Sequence, residues 1–355
     1  MLILFDGLLA TELLHQTLDD APDVDLPALR AVVRDGVAWR YGAVVGFPSV
    51  SAPGTSRPAP ALAGPPGVVS NAFYSRRLGR PLNPFALIAD PGAFLMDPAG
   101  ARAFYDDAVA PDVETLAQAA HRALGQWDAA TGQGAYVAVI NELAIGGADW
   151  STLDFLGAGK ASLDQYRVAD NLAVVQAEQR IGALDAPVPT ILQLSWVSTD
   201  GAGEGTGPHS PLLRTVLTEM DGRLARLQRA LARAGVLDRT LFALVSDHGM
   251  ELQDRGRAAH PGAIIARSGV RLRFQADGLL YLRTLEADAV PVGEALRVTV
   301  RDHDDGAPVA GATVACAGCE AALTDAAGAA LVVVGDAATL AIEHPDFNPA
   351  SLNLP

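Results

Sequence analysis

Cysteine is almost absent from this chain: Cys316 and Cys319 are the only two among 355 residues. No disulfide framework can hold the main body, and two thiols are too few for a four-thiolate zinc site. Spaced Cys-x-x-Cys between strand-like runs, the pair leaves two readings open, a local disulfide or two free thiols. Long apolar runs are missing too. None reaches the roughly 18–20 residues that span a bilayer, and no basic segment followed by an apolar stretch marks a signal peptide. Met1 begins directly on the strand-like Leu2-Ile3-Leu4-Phe5, as expected of a start that has lost a leader. Positive charge is scarce: 26 Lys and Arg face 41 Asp and Glu, for a formal net charge of -15. That balance argues against a nucleic-acid duplex as partner, because phosphate-backbone binding is driven by Lys and Arg clusters, and against anionic membranes. If a phosphate ester is bound, its neutralising charge must be local, and bound metal is the obvious source.

What is present suits a globular chain of two or three units. Half of the residues are hydrophobic, enough to bury a sizeable core. Leu2–Phe5, Tyr136–Ile140, Thr190–Val197 and Leu241–Val245 are short, β-branched-rich apolar runs of the kind found in buried parallel strands. Helical stretches lie between them at Leu26–Val37, Asp112–Trp127 and Pro211–Gly235. In the last, Leu213, Val216, Leu217, Met220, Leu224, Leu227 and Leu231 mark one face, and Gly235 supplies a C-terminal cap. Alternating strands and helices imply a parallel sheet covered on both sides, an α/β/α sandwich, over residues 1–285. Gly42–Pro84, rich in Pro, Gly, Ser and Ala, is too long for an ordinary connector and is expected to form a loop system at a site. Over residues 290–355 the helical period disappears. Short strands at Leu296–Val300, Ala312–Val314, Ala330–Val334 and Thr339–Ile342, broken by Asp305-Gly306 and Ala327-Gly328, predict a small all-β sandwich.

Chemistry-bearing residues gather at strand ends. Asp247-His248 follows Leu241–Val245, and Asp6-Gly7 follows Leu2–Phe5. Asp200 closely follows Thr190–Val197 and opens a glycine-rich run that includes Glu204. Open α/β sheets build their sites at the carboxyl ends of strands. Three acids at one sheet edge would repel each other strongly unless a cation neutralised them.

The motifs in these places carry a resemblance. Ser246-Asp247-His248-Gly249-Met250 resembles the signature of the alkaline-phosphatase superfamily, in its type I phosphodiesterase/nucleotide pyrophosphatase branch. Leu2–Gly7 is similar to that family's opening strand, whose Asp binds zinc. Phe47-Pro48-Ser49-Val50-Ser51-Ala52-Pro53 resembles its nucleophile segment and puts Ser51 in the nucleophile position, and Gly67–Tyr74 resembles the stretch that follows. Asp200-x-x-Gly203-Glu204-x-x-Gly207-Pro208 matches the family's Asp-x-x-Gly-His-x-x-Gly-Pro except at Glu204. Gly306–Val314 and Thr324–Gly328 resemble a carboxypeptidase-regulatory-like, prealbumin-type sandwich, a module used as a spacer or adhesion unit on secreted enzymes.

The family resemblance implies a metal-dependent phosphoric ester hydrolase with a small phosphate-ester or nucleotide-like substrate and a phosphoseryl intermediate. It implies two divalent metals, zinc first. Asp6, Ser51, Asp247 and His248 would belong to one and Asp200 to the other, with Gly54 and Asn71 beside the substrate. Three departures bear on activity. Glu204 stands where the family has His and shifts metal preference toward Mn²⁺ or Mg²⁺. Gly54 replaces an Asn that helps hold the transferred group. The family's final His ligand lies far downstream of the signature, a region missing here, and His260 is the candidate substitute, with His209 behind it. These departures support an alternative, a degenerate member acting as a binding or surface module. Trp150 and Trp196 flank the expected site and read either as pocket lining or as packing, and Arg76-Arg77 either meets an anionic substrate or is a solvated turn. The sandwich leans toward a location outside the cytoplasm.

Overall fold

The computed structural model describes residues 1–39, 72–76, 78–83, 114–142, 145–152, 163–184, 186–252, 256, 261–276 and 279–354. Its contacts divide the chain into two compact units, one formed by Met1–Asn71 and Asn83–Arg255, the other by Ala72–Leu82 and Gly256–Pro355.

The first unit is built on a parallel sheet. Strands β1 (Leu2–Phe5), β4 (Val137–Ile140), β5 (Trp150–Thr152), β6 (Ile191–Trp196) and β7 (Ala243–Ser246) lie in the order β5-β4-β6-β1-β7. The register pairs Phe5 with Trp196 on one side and with Ser246 on the other, so the ends of β6, β1 and β7 are level. Helices α1 (Ala10–Leu18), α2 (Pro27–Asp35), α3 (Leu116–Leu124), α4 (Leu163–Ile181), α5 (Ser198–Thr206) and α6 (Pro211–Arg233) complete the described part of this unit. One face of the sheet, with Ile3, Phe5, Ala138, Ile140, Leu192, Leu194 and Trp196, packs on Ala173, Val174 and Ala177 of α4 and on the leucine face of α6. The other face carries Val137 and Val139 against Ala117 and Ala120 of α3.

Helix α6 follows its sequence closely. The seven residues expected on its inner face are all buried. Ser210 caps its start by accepting the Leu213 amide at 3.1 Å, Pro211 fills the first helical position, and Gly235 leaves the helix at φ +69. Each fully buried leucine on that face stabilises the packing by roughly 1.5–3 kcal/mol. Two helices depart from this pattern. Helix α4 has no single apolar stripe: Ala169, Ala173 and Val174 face inward while Val168, Leu172 and Val175 are exposed, so its period is blurred. The glycine-rich run opened by Asp200 lies within a helix, α5, although its glycines disfavour one.

The second unit is antiparallel. Strands β10 (Leu285–Val292), β11 (Ala295–Asp302) and β14 (Ala329–Val332) form one sheet. Strands β12 (Thr313–Ala315), β13 (Ala322–Leu323), β15 (Thr339–Glu343) and β16 (Ala350–Asn353) form another, in the order β13-β12-β15-β16. Val298, Val300, Val314, Val332, Leu340 and Ile342 make their shared core. Hairpins β2 (Phe73–Ser75) with β3 (Arg80–Leu82) and β8 (Leu272–Ala276) with β9 (Leu279–Leu282), and helix α7 (Pro261–Ser268), belong to the same unit. The hairpin at 73–82 is the described part of the expected loop system. Cys316 and Cys319 are joined as a disulfide, which settles the choice left open by their spacing. Among the described residues, no helix is long and apolar enough to cross a membrane.

Candidate metal centre

Asp6 is the first residue beyond β1, and its amide donates to the Trp196 carbonyl at 2.9 Å, continuing the ladder by one step. Gly7 then turns the chain at φ +68, a conformation that strains any residue with a side chain. A Cβ there would also lie 2.7 Å from Met250 Cε and 2.8 Å from Asp200 Oδ1. The glycine thus lets the ends of β1, β7 and α5 approach one another. At β7 the hydroxyl of Ser246 accepts the Leu8 amide at 3.1 Å and lies 2.8 Å from the Phe5 carbonyl, stitching the two strand ends together.

Asp247 is buried. Its Oδ1 accepts the Gly7 amide at 3.1 Å and the His248 amide at 2.8 Å. Its Oδ2 is buried with no hydrogen-bond partner among the described residues. His248, also buried, places Nδ1 3.1 Å from the Gly249 carbonyl. A carbonyl can only accept, so Nδ1 is the donor in that contact and Nε2 is the ring atom left to face the carboxylates. That Nε2 lies 3.4 Å from Asp6 Oδ1 and 3.6 Å from Asp247 Oδ2. One ligand atom from each of Asp6, Asp247 and His248 falls within 4.8 Å of the other two. Two carboxylates and an imidazole whose other nitrogen is held by a backbone carbonyl form a donor set that suits a divalent cation. The orphaned Oδ2 is the atom such a cation would satisfy, so these residues fit a metal.

Asp200 sits in the first turn of α5 with its Oδ1 against Gly7. Burial, then the neighbouring Asp6 and Glu204, push its carboxyl up to about 8. Burial also pushes Asp247 up to about 7, opposed by the Gly7 amide, the Asp6 side chain and the His248 amide, with the charge of Asp200 adding a smaller push upward. Without a cation, both acids favour holding a proton near neutrality. Glu204 follows Asp200 by one helical turn and is exposed. Ser51, Gly54, Asn71 and His260 lie outside the described residues.

Other histidines, both tryptophans near the sheet edge and Arg76 are engaged elsewhere. His209 Nδ1 is 2.9 Å from the buried carboxylate of Glu12, and His15 Nδ1 is 2.5 Å from Asp19. His121 Nε2 pairs with Asp149 at 2.9 Å. Trp196 is fully buried and meets Phe5 edge-on at 5.4 Å, so it is packing rather than pocket lining. Trp150 is stacked by Arg180 at 5.6 Å. Arg76 is paired with Asp304 at 2.8 Å rather than simply solvated. One neighbour escaped sequence reading. Tyr166 of α4 packs its ring on Gly201, and burial, followed by the charges of Asp200, Glu204 and Asp6, raises its hydroxyl to about 12. A tyrosine in a helix of blurred period gives no motif to find.

A parallel sheet flanked by helices, with acids and a histidine at its carboxyl edge, defines an alkaline-phosphatase-like α/β fold. The family model for type I phosphodiesterase / nucleotide pyrophosphatase matches residues 1–308. The chain belongs to that family. Among solved structures it is similar to murine ectonucleotide pyrophosphatase / phosphodiesterase 5, at 15% identity and a TM-score of 0.51 over 85% of this chain and 65% of that one. An inactive form of the murine protein in complex with AMP matches at 16% identity and a TM-score of 0.50, with the same coverages. The chain therefore spans less than two thirds of the length of these murine structures.

Proposed function

We propose that this protein is a metal-dependent phosphoric ester hydrolase of phosphodiesterase type, acting on a small phosphate-ester or nucleotide-like substrate. The convergence of Asp6, Asp247 and His248 around an unsatisfied buried carboxylate oxygen carries this reading. Family membership supports it. Asp6, Asp247 and His248, with Ser51, would hold one cation, and Asp200 the second, with Glu204 and His260 as its further ligands. Bound divalent cations, zinc first and Mn²⁺ or Mg²⁺ next, would lower the pKa of a serine hydroxyl and neutralise nonbridging phosphate oxygens. Ser51 Oγ then bonds to phosphorus as the ester oxygen leaves and takes up a proton. Water cleaves the phosphoserine, which restores the hydroxyl and releases the phosphorylated product. Gly54 and Asn71 belong beside the transferred group. His248 is held in one tautomer by the Gly249 carbonyl, and Asp247 is oriented by two amides, so neither must reorganise to bind.

The allocation of chemistry to residues 1–285, and of a prealbumin-like spacer or adhesion role to residues 290–355, is part of the same proposal. So is a location outside the cytoplasm, with which the Cys316–Cys319 disulfide agrees. The exposure of Glu204 favours a second reading, a member with a weakened second site that acts as a binding module. Turnover of bis-p-nitrophenyl phosphate with Zn²⁺ or Mn²⁺, compared with Ser51→Ala, separates the two. Turnover lost in the variant supports the hydrolase, and metal-free, inert wild-type protein supports the module.

A further inference from the structure

Helix α5 carries Asp200 and Glu204 yet has little reason of its own to be helical. Three of its nine residues are Gly201, Gly203 and Gly205, each about 1 kcal/mol worse than alanine in a helix. Its N-cap is Val197, which offers no side-chain acceptor. The missing acceptor comes from another helix. Asp170 of α4, fully buried, accepts the Val197 amide at 2.8 Å, the Ser198 amide at 3.1 Å and the Ser198 hydroxyl at 2.5 Å. Arg223 of α6 stands 3.8 Å behind that carboxylate and is itself fixed by Asn171 Oδ1 at 3.0 Å. One turn before Asp170 on the same face of α4, the Tyr166 ring occupies the space over Gly201, where a Cβ would come within 2.3 Å of it. On the opposite flank, Thr199 donates to the Asp6 carbonyl at 2.5 Å and Met250 fills the space over Gly203.

We propose that Asp170, backed by Tyr166, is a positioning residue that holds α5 in register so that Asp200 faces the Asp6–Asp247–His248 cluster. The buried carboxylate acts as a cap supplied from outside the helix, and Asp200 lies two residues beyond the clamped Ser198. The inference rests on the metal-site reading above, but it concerns α4 and α5 rather than the ligands.

The test is calorimetric titration of the full chain with Zn²⁺, together with hydrogen exchange of the α5 amides. The step that Asp200→Asn weakens marks the Asp200-dependent site. Asp170→Asn keeps size and burial but presents amide hydrogens to the Val197 and Ser198 donors. It should weaken that same step about 10–100-fold, the range for residues that orient metal ligands. The other step should be preserved and exchange within α5 should quicken. Ser198→Ala removes one bond of the three and should shift the same step less, so it decides the matter if Asp170→Asn does not fold. Unchanged affinity in both variants overturns the inference and leaves the metal reading standing, as does equal weakening of both steps. Wild-type protein that binds no Zn²⁺ overturns both.

Discussion

Asp247→Asn probes the candidate cation site most sharply. In the metal-free protein its Oδ1 accepts two amides, while Oδ2 is buried with no hydrogen-bond partner among the described residues. Burial raises this acid from 3.8 to about 7. The native state therefore binds more protons than the unfolded chain between those values. The contribution of this group to stability is fully present below 3.8 and is lost as pH rises through about 7. That interval corresponds to a ceiling of roughly 4 kcal/mol. Asparagine keeps an oxygen for both amides and carries no charge to desolvate. If half of the ceiling is realised, about 2 kcal/mol, melting of the metal-free first unit should rise by about 4–8 °C at pH 8. The same variant should lose most of the stabilisation that Zn²⁺ gives the wild type. Scanning calorimetry in chelator and in Zn²⁺, at pH 5 and pH 8, measures both effects. The gain should be large at pH 8 and small at pH 5. A metal-free variant less stable than wild type at pH 8, or one that keeps the full Zn²⁺ response, would refute the reasoning.

Gly7→Ala should destabilise the first unit by about 1–3 kcal/mol in urea denaturation through its positive φ. Its new methyl would also displace Asp200 Oδ1 and Met250 Cε and so lower Zn²⁺ affinity, and unchanged stability together with unchanged affinity would contradict the close packing described here. Trp196→Ala empties a fully buried site and should cost about 3–5 kcal/mol of stability, with KM for bis-p-nitrophenyl phosphate unchanged in the folded fraction. Trp196→Phe should cost less, because it removes a buried indole N–H that has no partner among the described residues. A raised KM with intact stability would return Trp196 to the substrate pocket.

The parts of the fold that could be read in advance are those where local pattern and tertiary role agree. Strands β1 and β4 are apolar on both faces, β6 and β7 are short and mainly apolar, and α6 has one clean leucine face with a cap at each end, so each announces itself. Edge strand β5 is only three residues long and half buried, and it left no run to detect. Helix α5 is the instructive miss. Its Gly-Ala-Gly-Glu-Gly composition reads as a loop, whereas Asp170 and Tyr166 on one flank and Asp6 and Met250 on the other hold it as a helix. The acids at the sheet edge were legible because strand ends in a parallel sheet meet along one line. Tyr166 and Asp170 were not, since their roles depend on how α4 crosses α5. Trp196 is the last residue of a strand that runs toward the site, and only its face of the sheet distinguishes packing from lining.

In the proposed hydrolase the sheet edge holds metals that serve Ser51. The direct measurement is metal content of the purified chain by mass spectrometry, with turnover of bis-p-nitrophenyl phosphate by wild type and Ser51→Ala in the same preparation. Two divalent cations per wild-type chain and measurable turnover are expected, with turnover lost in the variant while substantial metal binding persists. Protein free of metal after Zn²⁺ and Mn²⁺ supplementation, or turnover that survives Ser51→Ala, would contradict it.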